Sequence, residues 1–287
     1  MRLVGRAAVV LGLTLAAVAC SSEEKSDSAA APPPVDAVPQ LANMAGQALP
    51  LEAYMLQPDQ SAKIAGARET MIVQCMKRQG FDFSFDSGRA ASGGFVVKSQ
   101  SETRYLIPPD MAADYGYHGP PGTSDPPSPP QLTEAEGLAL RGPDSNGGCF
   151  AEVDAQLAER GAVIQDAELV NTINADGMRR SIEDHRMKEA FALWSGCMKE
   201  RGYVYATPLD AADDPRWGAA ETASSEEIAT AVADTDCMIK NNVAGVWFAV
   251  ESAYQKRDIE ANFEKLEEVR KAIDTSIRVA EEITAQA

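Results

Sequence analysis

Apolar residues recur at three- and four-residue spacing through most of the chain after residue 50. This spacing places apolar side chains on one face of an α-helix. Two of the clearest stripes end on a cysteine: Ile64, Ala67, Met71 and Cys75, then Ala190, Trp194 and Cys197. We therefore expect a mainly α fold, with at most a few short strands.

The chain after Cys237 contains no proline and carries the longest stripe. Apolar positions continue from Val243 to Ala280, with charged residues between them. The pattern predicts one helix of about 45 residues, or two helices with a break at Gly245. Such a length without partners is typical of a hairpin or coiled coil, so we expect residues 256–287 to form a projecting helical arm.

Two short motifs share an order of residues that indicates an internal repeat. They are Cys75-Met76-Lys77-x-x-Gly80-Phe81-x-Phe83 and Cys197-Met198-Lys199-x-x-Gly202-Tyr203-x-Tyr205. Each glycine falls where the residue after a helix adopts a left-handed conformation. The aromatic residues beyond it alternate, which favours a short strand or an extended segment. We predict two related modules, 51–160 and 161–255, the first lengthened by a Pro/Gly-rich stretch without regular structure at 108–130.

A second cysteine follows each motif. The repeat favours the pairs Cys75–Cys149 and Cys197–Cys237, because each module is then closed internally. The other pairings of these four cysteines stay open at this point. A zinc site is the alternative, but the cysteines lack the short paired spacing of zinc ligands. Two disulfides are typical of an exported protein.

The N-terminus is typical of an export signal. Arg2 and Arg6 come before an apolar run from Ala7 to Val18. As a helix with a rise of about 1.5 Å per residue, this run is too short to cross a bilayer. Residues 1–19 are therefore predicted to be a signal peptide. Small residues directly before Cys20 resemble a lipobox, in which the cysteine is diacylated and becomes the new N-terminus.

A lipid on Cys20 also explains why the cysteine count, five, is odd. Ala17-Val18-Ala19 satisfies an ordinary Ala-x-Ala cleavage site as well, which would release the chain instead. We expect the lipidated form, on the outer face of a bacterial cytoplasmic membrane, with a secreted form as the alternative. Residues 20–50 are rich in Ser, Ala, Pro and acid and are expected to be a disordered tether.

Acidic residues outnumber basic ones, 43 to 26, which gives a formal net charge of −17. Nucleic acid is excluded as a partner, because phosphate binding needs a clustered basic surface. An acidic surface instead favours cations or basic partners.

An acidic cluster before Trp217 is the candidate ligand or partner surface. Asp210, Asp213 and Asp214 could hold a divalent cation through oxygen ligands. The spacing is not that of a calcium loop, and it fits a polar loop and helix cap, with Trp217 packing back on the module. We assign Trp217, Asp213 and Asp214 to this surface and predict no metal there.

Other side chains of types that take part in catalysis or ligand binding are predicted to be structural. His118 and His185 have no evident partner in the sequence, and Trp194 and Trp247 lie on apolar stripes as expected for core residues. The sequence contains no nucleophile elbow, phosphate-binding loop or zincin helix. We therefore predict no catalytic residue and no cofactor.

The chain resembles a family of uncharacterised exported lipoproteins of actinobacteria that carry the duplicated Cys-Met-Lys-x-x-Gly-aromatic module. The resemblance covers the chain from about residue 49 onward and implies export and the cysteine pattern, but no catalytic residue. Besides the two motifs, it rests on Tyr115-Gly116-Tyr117-His118, Gly147-Gly148-Cys149, Asp214-Pro215-Arg216-Trp217 and Val243-Ala244-Gly245-Val246-Trp247-Phe248-Ala249-Val250-Glu251.

The leading functional hypothesis is a non-enzymatic lipoprotein of the cell envelope that binds another protein or cell-wall material. Its membrane contact would be the lipid on Cys20. One alternative is a ligand-binding lipoprotein of a transport system, which usually needs a cleft between two α/β lobes. The second is a cell-wall hydrolase that uses carboxylates near Asp213.

Substitution Cys20→Ala tests the anchor. We expect the wild-type protein to partition into detergent and the variant into the aqueous phase, because only the wild type carries acyl chains. Phase partition of the two proteins from cells measures this. Equal partition of both proteins would contradict lipidation.

Overall fold

A computed structural model describes residues 31–85, 104–120, 132–219 and 221–286. Within these ranges the chain forms ten α-helices and no strand, which confirms the mainly α prediction. The segments after Gly80 and Gly202, expected to be extended, have no strand partner among the described residues. The helices are α1 Pro58–Arg78, α2 Pro109–Tyr115, α3 Glu134–Arg141, α4 Gly148–Glu159, α5 Ala167–Glu183, α6 His185–Glu200, α7 Pro208–Ala212, α8 Ser225–Lys240, α9 Val243–Ala261 and α10 Phe263–Ala285.

Two short 3-10 helices, Pro50–Tyr54 and Trp217–Ala219, complete the described elements. The predicted signal peptide, Cys20 and the proline run 126–130 lie outside the described residues. No described helix is both long enough and apolar enough to cross a membrane.

Helix α9 lies at the centre of the largest core. Its residues are buried without interruption from Ala249 to Gln255, nearly two turns, so every side of the helix is covered. Helices α5, α6 and α8 pack around it. Such all-round burial is typical of a core helix. Trp194 of α6 and Trp247 of α9 are 0% and 1% exposed, which confirms that both are core residues.

Both disulfides join the predicted partners. Cys75–Cys149 connects α1 to α4, and Cys197–Cys237 connects α6 to α8.

The two motif helices also end in the same way. Gly80 and Gly202 have positive φ angles of 87° and 91°. In each motif, the backbone N–H of the aromatic residue after the glycine donates to the carbonyl of the motif methionine. Phe81 N–H donates to Met76 O, and Tyr203 N–H donates to Met198 O, both at 3.0 Å. This is the Schellman arrangement, which satisfies carbonyls that the helix end leaves open.

The C-terminal segment differs from its prediction. It forms two helices, but the break lies at Asn262 rather than Gly245. Helix α10 does not project as an arm, because it packs along α1. Ala67 of α1 is buried there against Val279 and Ala280 of α10. The apolar stripe of α10 therefore finds its partner in the N-terminal half of the chain.

The described part of the Pro/Gly-rich stretch contains a helix, which the prediction of no regular structure missed. Pro109–Tyr115 is the short helix α2, which packs on α8 with Ala112 fully buried. Proline is compatible with this, since at the first helical position its missing N–H would have no helical partner in any case.

The second half of the predicted disordered tether is packed against the helices, so this part of the prediction is wrong. We name residues 33–49 the strap. Leu41, Met44 and Leu49 are buried in the main core. Asn242 holds the strap with both ends of its side-chain amide: Nδ2 donates to Pro39 O at 2.9 Å, and Oδ1 accepts from Leu41 N–H at 3.0 Å. Burial of these apolar side chains and pairing of the backbone groups hold the strap in place, although few of its residues have large apolar side chains.

Gly245 serves this contact rather than a helix break. A Cβ atom at position 245 would overlap the carbonyl oxygen of Pro39 and lie 2.5 Å from Oδ1 of Asn242. Only glycine therefore lets the strap approach the first turn of α9 this closely.

Substitution Gly245→Ala is expected to lower the free energy of unfolding by about 1–3 kcal/mol, because the strap must move away from α9. Urea unfolding measures the loss. Gly196→Ala is the matched control, since that helical glycine has open space around it. The control should be neutral or stabilising by up to about 1 kcal/mol. Equal effects of the two substitutions would contradict the role assigned to Gly245.

Candidate ligand cleft beside Trp217

An open cleft of about 320 Å³ lies between the end of α7 and the loop that follows α2. The three residues predicted as a ligand or partner surface, Asp213, Asp214 and Trp217, all line it. Tyr117 and His118 form the opposite side. We name this feature the Trp217 cleft.

Trp217 is a wall of the cleft and not an open platform. Its side chain is only 5% exposed, and its indole N–H donates to Ala211 O at 2.7 Å. The Tyr117 ring stacks on it with centroids 6.2 Å apart, and the Arg216 guanidinium lies 4.7 Å from its centroid. The expected packing of Trp217 back on the module is thus confirmed, and the indole is held in one position.

The two adjacent carboxylates of the cleft have different surroundings. Asp214 accepts hydrogen bonds from the Arg216 backbone at 3.0 Å, from Arg216 Nη2 at 2.8 Å and from Tyr205 Oη at 2.8 Å. The Arg216 hydrogen bonds hold the pKa of Asp214 well below its ordinary value. Asp213 is exposed, and its carboxylate meets no partner among the described residues.

The rest of the acidic cluster is structural. Asp210 forms a capping box with Thr207 at the start of α7, with the Thr207 N–H donating to its carboxylate at 2.9 Å. In the described part of the chain, no three His, Cys, Asp or Glu side chains are grouped to hold a metal ion.

The loop Tyr117-His118 is held on α8 by two buried carboxylates. Glu227 accepts from Tyr117 N–H at 2.9 Å and lies 2.8 Å from His118 Nδ1. Asp234 accepts from Tyr117 Oη at 3.1 Å and from Trp194 Nε1 at 2.9 Å. The expectation that His118 has no partner is therefore wrong. Glu227 and Asp234 are seven residues apart on α8, which places them on one face of the helix, two turns apart. This spacing is a sequence signal of the arrangement.

Gly116 makes the close approach possible. It has a φ of 61°, and a Cβ atom there would lie 2.8 Å from Oε1 of Glu227. The turn before Tyr117 and His118 therefore depends on a residue without a side chain.

The other singled-out residues do not reach the cleft. His185 is exposed, and its Nδ1 lies 3.3 Å from Asp184. Trp194 and Trp247 belong to the core, so the three tryptophans do not share one surface. Trp194 still supports the cleft indirectly, because its indole binds Asp234.

The chain matches no protein-family model, no curated protein and no solved structure. The geometry of the cleft therefore carries the functional argument. The exposed carboxylate of Asp213, beside the aromatic wall of the cleft, can accept hydrogen bonds and pair with a positive charge.

Asp234 makes the stability of the protein depend on pH. Burial raises its pKa from 3.8 to about 7, although the hydrogen bonds from Trp194 and Tyr117 oppose the shift. Between these two values the folded protein holds a proton that the unfolded chain has lost. The free energy of unfolding therefore falls as pH rises through this window, by up to about 4 kcal/mol from this group.

Substitution Asp234→Asn should remove that fall, because the amide is neutral at every pH. Its oxygen can accept from Trp194 Nε1, while its Nδ2 donates to Tyr117 Oη in place of the hydrogen bond that the carboxylate accepts. We expect the variant to match the wild type near pH 4 and to exceed its stability at pH 8, measured by urea unfolding. Asp236→Asn, an exposed site on the same helix, is the control and should leave the wild-type pH dependence unchanged. An unchanged pH dependence in Asp234→Asn would refute the assignment.

Proposed function

We propose that this protein is a lipid-anchored binding protein on the outer face of a bacterial cytoplasmic membrane. It holds a positively charged group of an envelope protein or of cell-wall material in the Trp217 cleft. The two disulfides support a location outside the cytoplasm, because such bonds persist in oxidising compartments. The signal sequence and Cys20 supply the argument for the anchor.

The exposed carboxylate of Asp213 is the feature that best supports the binding role. It stands at an aromatic-walled cleft in which the neighbouring Asp214 and Trp217 are already held by internal hydrogen bonds. The cleft is therefore preformed, and its volume of about 320 Å³ falls within the range of small ligand sites. A cation entering it meets a carboxylate that loses no internal partner on binding.

A hydrolase that uses the same carboxylates is less well supported. Such an enzyme needs one protonated and one ionised carboxyl group facing each other. Asp214 is kept ionised by Arg216 and is occupied by it, so it cannot serve as the general acid.

A transport-type ligand receptor also has less support. Such receptors usually close a deep cleft between two α/β lobes, whereas the part of the chain that the structure describes is helical and contains no strand. The Trp217 cleft is open and lies on one helical body.

A photo-reactive amino acid at position 212 tests the proposal in intact cells, because Ala212 is an exposed residue of the cleft and its replacement leaves Asp213 in place. We expect adducts to form several-fold more efficiently at position 212 than at position 274, an exposed residue of α10 that serves as the control. Raised salt, or the additional substitution Asp213→Asn, should lower the yield at position 212, because each weakens the pairing of exposed charges. Equal yields at the two positions, or no adduct at 212, would count against the cleft as the binding site.

A further inference from the structure

A second concave surface lies on the strap and is mainly apolar. This groove has a volume of about 470 Å³ and is formed by residues 35–38 of the strap against α6 and α9. We name it the strap groove. Its apolar lining consists of Val35, Ala37, Val38, Ala190, Leu193, Val246 and Val250.

Two large apolar side chains of the groove are exposed. Leu193 is 63% exposed and Val38 is 45% exposed. They come from α6 and from the strap, residues far apart in sequence that the fold brings to one groove. Exposed apolar residues that stand singly need no explanation, but these two line one groove, where a single occupant can cover both.

Two of the three charged side chains that line the strap groove are paired, and the third, Glu189, is exposed. Asp36 lies 3.7 Å from Lys256, and Arg186 donates to Asp184 at 2.7 Å and to Pro33 O at 3.0 Å. A partner recognised by charge at Asp36 or Arg186 would have to break these pairs. The groove is therefore suited to an apolar occupant.

The short chain between Cys20 and the strap limits how far the groove can lie from a lipid on Cys20. Pro33 is buried and its carbonyl is bound by Arg186, so the strap is held from its first residue. Thirteen residue steps join Cys20 to Pro33, which is at most about 45 Å even for a fully extended chain. A lipid on Cys20 therefore keeps the groove close to the bilayer that holds the anchor.

We infer that the strap groove docks on the lipid bilayer, with Val38 and Leu193 entering the boundary between headgroups and acyl chains. This inference rests on the lipid anchor at Cys20 that forms part of the proposed function. Uncharged or zwitterionic lipid suits this face, since the net charge of −17 repels an anionic surface. The anchor supplies proximity, and the groove sets the orientation of the body.

An environment-sensitive fluorophore on a single added cysteine tests the docking. The variants are Leu193→Cys and, as a control, Leu138→Cys, because Leu138 of α3 is similarly exposed, at 55%, and does not line the groove. The four paired cysteines do not react without reductant. Each protein is studied as the lipidated chain on zwitterionic vesicles. Each is also studied as a chain beginning at residue 21, with an N-terminal histidine tag bound to a chelating lipid.

We expect vesicles to protect the probe at position 193 from a water-soluble quencher several-fold, and to shift its emission to the blue. The probe at position 138 should change little. Vesicles rich in anionic lipid should reduce the protection at 193. Equal quenching at the two positions on zwitterionic vesicles would overturn the inference.

The two tethering arms separate this inference from the anchor. If the chain made in cells carries no lipid, the proposed anchor fails, yet the histidine-tagged arm still reports whether the groove docks. If the lipidated chain binds vesicles while the probe at 193 stays exposed to the quencher, docking fails and the anchor stands. Val38→Ser combined with the probe at 193 should reduce the protection, whereas Val204→Ser, an exposed valine elsewhere, should not.

Discussion

A fully buried carboxylate at the centre of the protein constrains the packing around it. Glu251 of α9 accepts hydrogen bonds from Arg104 at 2.6 Å, from Tyr105 Oη at 2.6 Å and from Gln255 Nε2 at 3.0 Å. Burial raises the pKa of Glu251, and the Arg104 charge opposes the shift. A buried charge is tolerated only when it is paired, so the segment with Arg104 and Tyr105 must return to α9. Gln255 then accepts from Leu51 N–H at 3.1 Å and extends the network to the chain before α1.

The position of α9 in turn decides where the two proposed surfaces lie. The strap is bound by Asn242 at the start of α9 and forms the strap groove with α6 and α9. The Trp217 cleft is held by the buried carboxylates of α8. The disulfide between Cys197 and Cys237 links α6 to α8, so one covalently closed framework carries both surfaces. Each surface is thereby preformed, which lowers the entropy lost on binding.

Features with a local physical cause could be predicted from the sequence. Gly80 and Gly202 end their helices because a left-handed residue closes the last turn within a few residues. The cysteine pairing followed from the repeated motif and is present in the structure. The clustering of Asp213, Asp214 and Trp217 could also be predicted, since three residues within five positions of one loop remain neighbours in the fold.

The tertiary structure decided what depends on residues far apart in sequence. A low apolar content suggested a tether up to residue 50, but Leu41, Met44 and Leu49 are buried because Asn242 and Gly245 provide a site for them. The stripe of α10 indicated a buried face without indicating that α1 covers it. His118 acquires Glu227 as a partner only when α2 packs on α8. The sequence by itself determined helices, caps, disulfides and the acidic loop, since these arise from local geometry or from the repeated motif. The strap, the docked C-terminal helix and the far wall of the cleft came from long-range packing, because burial energy depends on which surfaces meet.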